Sequence, residues 1–367
     1  MDPVTHAASG AVAWLALKNR PATLWGLPLA ALACASPDVD LCFIHTPLEF
    51  LQLHRGITHS FAGSIGLGLA LAILSWPLWR KSTPDRWNFG KVWLFGIAMV
   101  WLHIWLDVVT TYGTMVFLPF SHYRVRLNAI FMIDLCITLP LLWAIWRWRT
   151  RRGLILLTLA WIFLYPSICI VANIWHTSQW QDRLADMEGA TGRMAILPDA
   201  FSPFFWRALY EQKTGAGLVV RDQSINALGL PRSEPLEKPA ADPQLTRLLA
   251  EDSVTGETYF NFALLPVMDK LRQADEPAPA IPDSALYMFY DLRFGSGIEF
   301  VRRLMELRPN SDMPFILMAE FLPGDSQSGL AVGRLRLRFS DSGRDSHWHR
   351  PLAPAKPTVW QWLVGLE

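Results

Sequence analysis

The order of apolar and polar positions divides the chain in two. Three apolar stretches, about Phe61 to Trp79, Val92 to Val109 and Leu154 to Trp175, are each long enough to cross a bilayer, which takes roughly 20 helical residues. A fourth, about Ala129 to Trp146, is apolar except for Asp134 near its start. Two shorter runs, Ala7 to Leu17 and Thr23 to Ala35, flank "KNRP" and predict a helical hairpin that dips into or crosses the membrane. After about Thr177 the runs shorten and take on a period of two: "ALYEQ", "GLVVRD", "TYFNFALLPV", "ALYMFYDLRF", "PFILMAEFL" and "LAVGRLRLRFS". The last alternates apolar and basic residues from Leu330 to Phe339, as a half-buried strand does. Proline-rich loops, "LPRSEPLEKPAADPQ" and "ADEPAPAIPD", interrupt these strands, with a short helix "LTRLLAE" between them. The pattern predicts an α-helical polytopic membrane domain over residues 1–176 and a β-rich soluble domain over 177–367, without an internal repeat.

Composition agrees with a membrane protein: 51% of the 367 residues are hydrophobic, 18 are tryptophan, and the mean hydropathy is +0.21. A net charge of +1 supplies no basic surface for nucleic acid, so no nucleic-acid partner is expected. The four cysteines, Cys34, Cys42, Cys136 and Cys169, all fall in the apolar half, and none has a C-x-x-C partner that would indicate a thiolate metal site. "MDPVTH" lacks the basic start of a secretory signal peptide, so no cleavage is expected.

Charge sets the expected threading. Lys18 and Arg20, then Arg80, Lys81, Arg86 and Lys91, then Arg147, Arg149, Arg151 and Arg152 fall in alternate loops, which the positive-inside rule assigns to the cytoplasm. The opposite ends then hold His6, Asp38 and Asp40, next His54 and His59, next His103 and Asp107, and last Asp134. Every candidate ligand lands on one membrane face, the periplasmic or outer face, together with the C-terminal domain. Arg55, Arg124 and Arg126 are the basic residues placed outside, where they could meet an anionic substrate or a lipid head group.

These candidate ligands carry the chemistry. In "PDVD" the proline predicts the end of an apolar helix, and Asp38 and Asp40 at i and i+2 can aim two carboxylates at one cation. In "WLHIWLDVVTTYGT", His103 and Asp107 lie four apart on one helical face inside an apolar span, where an ionisable group is costly unless paired. Thr110, Thr111, Tyr112 and Gly113 follow where the helix should emerge. In "HRGITHS", His54 and His59 cannot share a helical face, but a loop carrying His54 and a helix starting near His59 lets them converge. Four histidines and four aspartates exceed the needs of one ion, so two or more are expected. An imidazole and carboxylate shell without thiolate suits a divalent metal such as zinc, manganese or iron. His45, His122, His176, His347 and His349 read as boundary or surface residues.

The ordered motifs "MDPVTH", "PDVD", "HRGITHS", "HIWLDVVTTYGT" and "PFSHYRVRLNAIFMID" resemble the YdjM-type family of bacterial inner-membrane proteins, described as metal-dependent hydrolases, over roughly the first 140 residues. The resemblance implies that His6, Asp38, Asp40, His54, His59, His103 and Asp107 form the metal site, with Arg55, Thr58 and "TTYG" around it. Some members are described as binding the LexA repressor, but no basic patch or motif here carries that over. The leading expectation is hydrolysis of a phosphoester, of a lipid or lipid-linked head group, with Asp107 helping to hold the cation and Arg55 binding phosphate. A membrane metalloprotease is the alternative enzyme, although H-E-x-x-H is missing and the nearest glutamate is Glu49. A metal transporter or sensor would use the same ligands without catalysis, and an assembly scaffold whose tail binds a protein partner is a third alternative, since the tail shows no catalytic constellation.

Overall fold

A computed structural model describes residues 1–20, 23–80, 87–271, 284–306, 314–324, 330–339, 347–354, 358 and 361. Lys81, Arg86 and the "ADEPAPAIPD" loop lie outside the described residues. The first half is helical. Helix α1 (Pro3–Ala16) starts where Asp2 accepts the Thr5 N–H and Pro3 occupies the first turn, both good starting chemistry. Helix α2 (Gly26–Ala35) does not stop at Pro37. A proline at the start of a 3-10 segment needs no donor, so the chain winds on through Ser36–Phe43, and "PDVD" is helical rather than a turn. A short α3 (Pro47–Leu53) follows, with a full capping box between Thr46 and Glu49. After a single 3-10 turn at Ile57–His59, Ser60 caps the apolar α4 (Phe61–Trp79), and Asn88 caps α5 (Phe89–Val108).

The fourth apolar stretch is shorter than its composition suggests. Helix α6 (Leu135–Arg147) begins only at the Asp134 cap, because the N–H groups of Leu127, Ala129 and Ile130 bond back to the Val108 and Val109 carbonyls at the end of α5. Helix α7 (Arg152–Ala185) is far longer than the expected stretch and runs past residue 176 to the first sheet. Among the described residues, four segments are long and apolar enough to cross a membrane: Gly26–Phe43, Phe61–Trp79, Phe89–Val108 and Arg152–Ala185. Leu135–Arg147 is an apolar helix below that length.

The second half holds two antiparallel four-stranded sheets in simple meander order. The first pairs β1 (Ala190–Pro198), β2 (Phe205–Thr214), β3 (Gly217–Asn226) and β4 (Leu236–Pro239). The second pairs β5 (Pro266–Leu271), β6 (Ala285–Asp291), β7 (Phe315–Pro323) and β8 (Leu330–Phe339). Between the sheets lie α8 (Pro243–Asp252), which is the expected "LTRLLAE" helix, and α9 (Val254–Phe262). The front of "TYFNFALLPV" is therefore helix, not strand: Ser253 caps it, and Tyr259 and Phe262, three apart, face the core together. Helix α10 (Glu299–Glu306) lies between β6 and β7.

Three cores join these parts. Residues of α1, α5, α6 and α7 pack together and continue without a break into Ile196, Trp206, Ala208 and Tyr210 of the first sheet. Leu197, Leu209, Val220, Val267 and Tyr290 bind the two sheets to each other. The second sheet and α9 close over Leu51 and Tyr112, so the β-rich half covers the loops at one end of the helices. At the opposite end, Trp14, Trp79, Trp87 and Phe95 form a ring cluster beside Arg20 and Arg152, which donate to the Leu15 and Ala16 carbonyls.

Small residues let the apolar helices approach closely. A Cβ on Gly10 would fall 2.2 Å from the Ala30 carbonyl oxygen, and Gly96 lies directly against the Gly68 backbone. We expect Gly10→Ala to force α1 and α2 apart and cost about 1–3 kcal/mol, as overpacking does. Gly66 has nothing within 4 Å of its Cβ position, so Gly66→Ala should be neutral or stabilise by up to about 1 kcal/mol. Thermal unfolding of the two variants in detergent checks the contrast.

Candidate metal centre

Four chain segments deliver the predicted ligands to one place. The 3-10 segment after α2 brings Asp38 and Asp40, the C-terminal cap of α3 brings His54, the 3-10 turn brings His59, and the last turns of α5 bring His103 and Asp107. Ligand atoms of Asp38, His59, His103 and Asp107 lie within 4.8 Å of one another, and so do those of Asp38, Asp40 and His54. Asp38 belongs to both groups. His54 and His59 come from a helix end and the following turn, with ring centroids 5.8 Å apart.

Orientation of the rings tests whether a cation fits. His103 Nδ1 lies 2.7 Å from the Cys34 carbonyl oxygen, an acceptor only, so Nδ1 carries the proton and Nε2 presents its lone pair. His59 Nδ1 is 3.0 Å from the Thr58 hydroxyl and 3.5 Å from Asp40 Oδ2, which places its proton on that side too. The two Nε2 atoms then face each other at 3.1 Å, 3.3 to 3.5 Å from carboxylate oxygens of Asp38 and Asp107. Asp107 Oδ2 is buried without a hydrogen bond. Two lone pairs and two carboxylates aimed at one point repel one another unless a cation lies among them. The donor set, nitrogen and oxygen without sulfur, fits a divalent metal.

The second group is more committed to positioning. Asp40 Oδ2 accepts the Arg55 backbone N–H at 3.1 Å and faces the Thr58 hydroxyl at 3.4 Å, while Oδ1 lies 3.2 Å from His54 Nδ1. Arg55 itself adopts a left-handed backbone (φ 60°) to make this turn. Burial lowers the basicity of His54, which keeps the imidazole neutral and able to ligate.

His6 is the exception among the expected ligands. It is fully buried and stacks on His103 with ring centroids 3.6 Å apart, yet it lies outside both ligand groups. Its Nε2 approaches Asp107 Oδ1 at 3.3 Å, but neither ring nitrogen makes a hydrogen bond. Asp134 is also elsewhere: it caps α6 and accepts the Tyr165 hydroxyl at 2.8 Å.

The three outward arginines have different fates from the one expected for them together. Arg55 is buried, pairs with Asp107 Oδ1 at 2.9 Å, donates to the Thr110 hydroxyl at 3.0 Å and lies 4.9 Å from the Tyr112 ring centre. Burial pushes the Tyr112 phenol up to about 12, so it stays protonated beside these cations. Arg124 is a backbone clamp, donating to the carbonyls of Leu51 and His54. Arg126 lines a cavity beside the cluster. Among the bases discounted in sequence, His176 is fully buried rather than at a surface, His122 lines the same cavity as Arg126, and His349 pairs through its backbone with Leu335.

Other participants carry no sequence signal. The Met1 amine touches Asp107, the Cys34 carbonyl orients His103, and Arg293 of the β-rich half donates to the Thr111 carbonyl at 3.3 Å. No motif announces a backbone carbonyl or a contact between residues 182 apart. Glu49, the glutamate nearest in sequence, is spent on capping α3 through the His45 and Thr46 N–H groups, which leaves a zincin-type base unsupported.

Helices of spanning length that gather histidine and carboxylate ligands at one end define a membrane protein with a candidate metal centre. Residues 1–176, just under half of the chain, match the family described as YdjM inner membrane protein. The chain is also similar to the uncharacterized protein YfhP of Bacillus subtilis (strain 168), with 28% identity over 156 residues, covering 40% of this chain. It spans about half the length of that relative, 46%. No solved structure matches.

If the centre holds metal, His59→Ala and His103→Ala should each lower bound metal several-fold, because each removes a lone pair aimed at the cluster. His349→Ala, remote from it, should not. Elemental analysis of protein purified without chelator measures this, and equal metal in all three variants would place the site elsewhere.

Proposed function

We propose that this protein is a membrane-bound, metal-dependent hydrolase of phosphoesters at the membrane surface. The observation that carries the reading is Asp38, a carboxylate common to two adjacent ligand groups, the arrangement expected where two cations work as a pair. Asp38, His59, His103 and Asp107 would hold one ion, and Asp38, Asp40 and His54 the second. Divalent cations held there supply Lewis-acid polarisation of a phosphoryl oxygen and a nucleophile near neutral pH. Zinc is the proposed metal, with manganese and iron accepted by the same donors.

The chain's own residues supply the rest. Cys34 and Thr58 fix which nitrogen each imidazole presents. Arg55 spends Nη1 on the Thr110 hydroxyl and the Asp107 carbonyl and one N–H of Nη2 on the Asp107 carboxylate, while its Nε has no partner, which keeps N–H capacity for an anionic group. The covering β-rich half and the apolar helix ends limit water around the cluster, which strengthens each of these charge interactions.

The proposed setting is the inner membrane, with the centre and the β-rich half on the periplasmic or outer face. Two observations support it: the loops carrying the ligands pack against the second sheet, and the opposite helix ends carry Arg20 and Arg152. A phosphatase reporter fused after Met187, just beyond α7, should be active, and a cytoplasm-only reporter there silent. The reverse result would invert the protein.

For the chemistry, Asp107→Asn should abolish release of phosphate or a phosphorylated head group from a lipid panel, because the amide keeps the shape but not the charge. Arg55→Lys should retain metal and raise KM, since Lys lacks the planar fork. Chelator should stop wild-type turnover. Metal-replete protein that cleaves peptides but no phosphoester would replace this reading with a protease.

A further inference from the structure

Beside the ligand cluster, where α9 meets the loop after α5, lies a cavity of about 370 Å³. One wall is the segment His122, Tyr123, Arg124 and Arg126, and the facing wall includes Glu257 and Asn261. Arg124 joins the cavity to the centre, because the guanidinium that lines it also donates to the carbonyl of the ligand residue His54 at 3.4 Å. Arg126 has a buried Nη1 with no hydrogen-bond partner, an expensive arrangement for a guanidinium. Burial and the neighbouring Arg293 lower its affinity for a proton, to about 10. The nearby acid Asp291 is shared with Arg293 at 3.3 Å. Cations therefore outnumber acids around this space, and Glu257 is the single carboxylate among the lining residues.

The same loop shows what kind of molecule brings the anion. Phe117, Phe120 and Tyr123 expose 47%, 83% and 69% of their surface just ahead of or beside the arginines. In a membrane protein, exposed aromatic rings next to basic side chains mark the depth of lipid head groups. We propose that this cavity binds the phosphate group of a lipid head group, so that Arg126 supplies the fork for the phosphate while the acyl chains lie along the exposed rings. This rests on the hydrolase reading for its role as a substrate subsite, but binding can be read without turnover.

The test is calorimetric binding of dihexanoyl phosphatidic acid to the full chain in non-ionic detergent, with chelator present so that the metal centre contributes nothing. Arg126→Gln should weaken binding about tenfold or more, the worth of a charge-assisted hydrogen bond, and Glu257→Gln should tighten it by removing a like charge. Competition by glycerol 3-phosphate separates the sources: weak competition supports the lipid, and competition as strong as the lipid's own affinity supports a soluble phosphate ester in the same pocket. Absence of binding, or affinity unchanged in both variants, overturns the proposal. If Arg126→Gln fails to fold, unchanged affinity in Glu257→Gln does so alone. His103→Ala should bind the lipid normally but not turn it over, so failure of catalysis and failure of this pocket are separate results.

Discussion

Everything at the covered end of the helices is arranged around the Asp107 carboxylate, which has no solvent exposure although it sits on an apolar helix. A buried ionised group costs several kcal/mol unless it is compensated, and few contacts suffice only when they come from all sides. Here the Arg55 guanidinium and the Met1 amine compensate it directly, and the rings of His6, His59 and His103 enclose it from α1, the α3–α4 connection and α5 itself. These neighbours need support of their own. Arg55 must take a left-handed backbone and be held by Asp40, His103 needs the Cys34 carbonyl, and His59 needs Thr58. One charge thus dictates the packing of five segments.

Much of this was legible in the residues. The i, i+4 pair His103 and Asp107 requires only that the apolar run be helical, and α4 and α5 fall close to where hydropathy puts them. The separation of His54 and His59 excludes one helix and so implies the break between α3 and α4. What was not legible depends on contacts distant in sequence. Nothing local distinguishes Asp134, used as a cap with Tyr165 beyond it, from Asp38, used in the cluster. The shortening of α6 is decided by the α5 carbonyls that claim the N–H groups of Leu127 to Ile130. "TYFNF" alternates like a strand, but its capping serine and the three-residue spacing of Tyr259 and Phe262 make it helix. His6 stacks on His103 instead of joining a ligand group, a distinction that no pattern records.

The β-rich half, whose sequence shows no catalytic constellation, is nevertheless part of the same construction. Arg293 reaches the loop after α5, Tyr112 enters the aromatic core with Phe262 at 5.1 Å between ring centres, and Phe50 stacks on Phe339 at 5.0 Å. These contacts lower the freedom of the very loops that carry His54 and the arginines. The family match covers residues 1–176 and ends before this roof.

The length of α7 has a consequence of scale. Thirty-four helical residues make a rod of roughly 50 Å, against about 30 Å of hydrocarbon. The surplus of some 20 Å works as a fixed strut, and because Trp180 and Leu184 near its tip are packed with Trp206 and Tyr210, the first sheet is pinned at that height. Lower down, Asn173 donates to the Ile196 carbonyl and the Tyr165 hydroxyl to the Ser202 carbonyl, so the sheet is held along the helix and not at its tip alone.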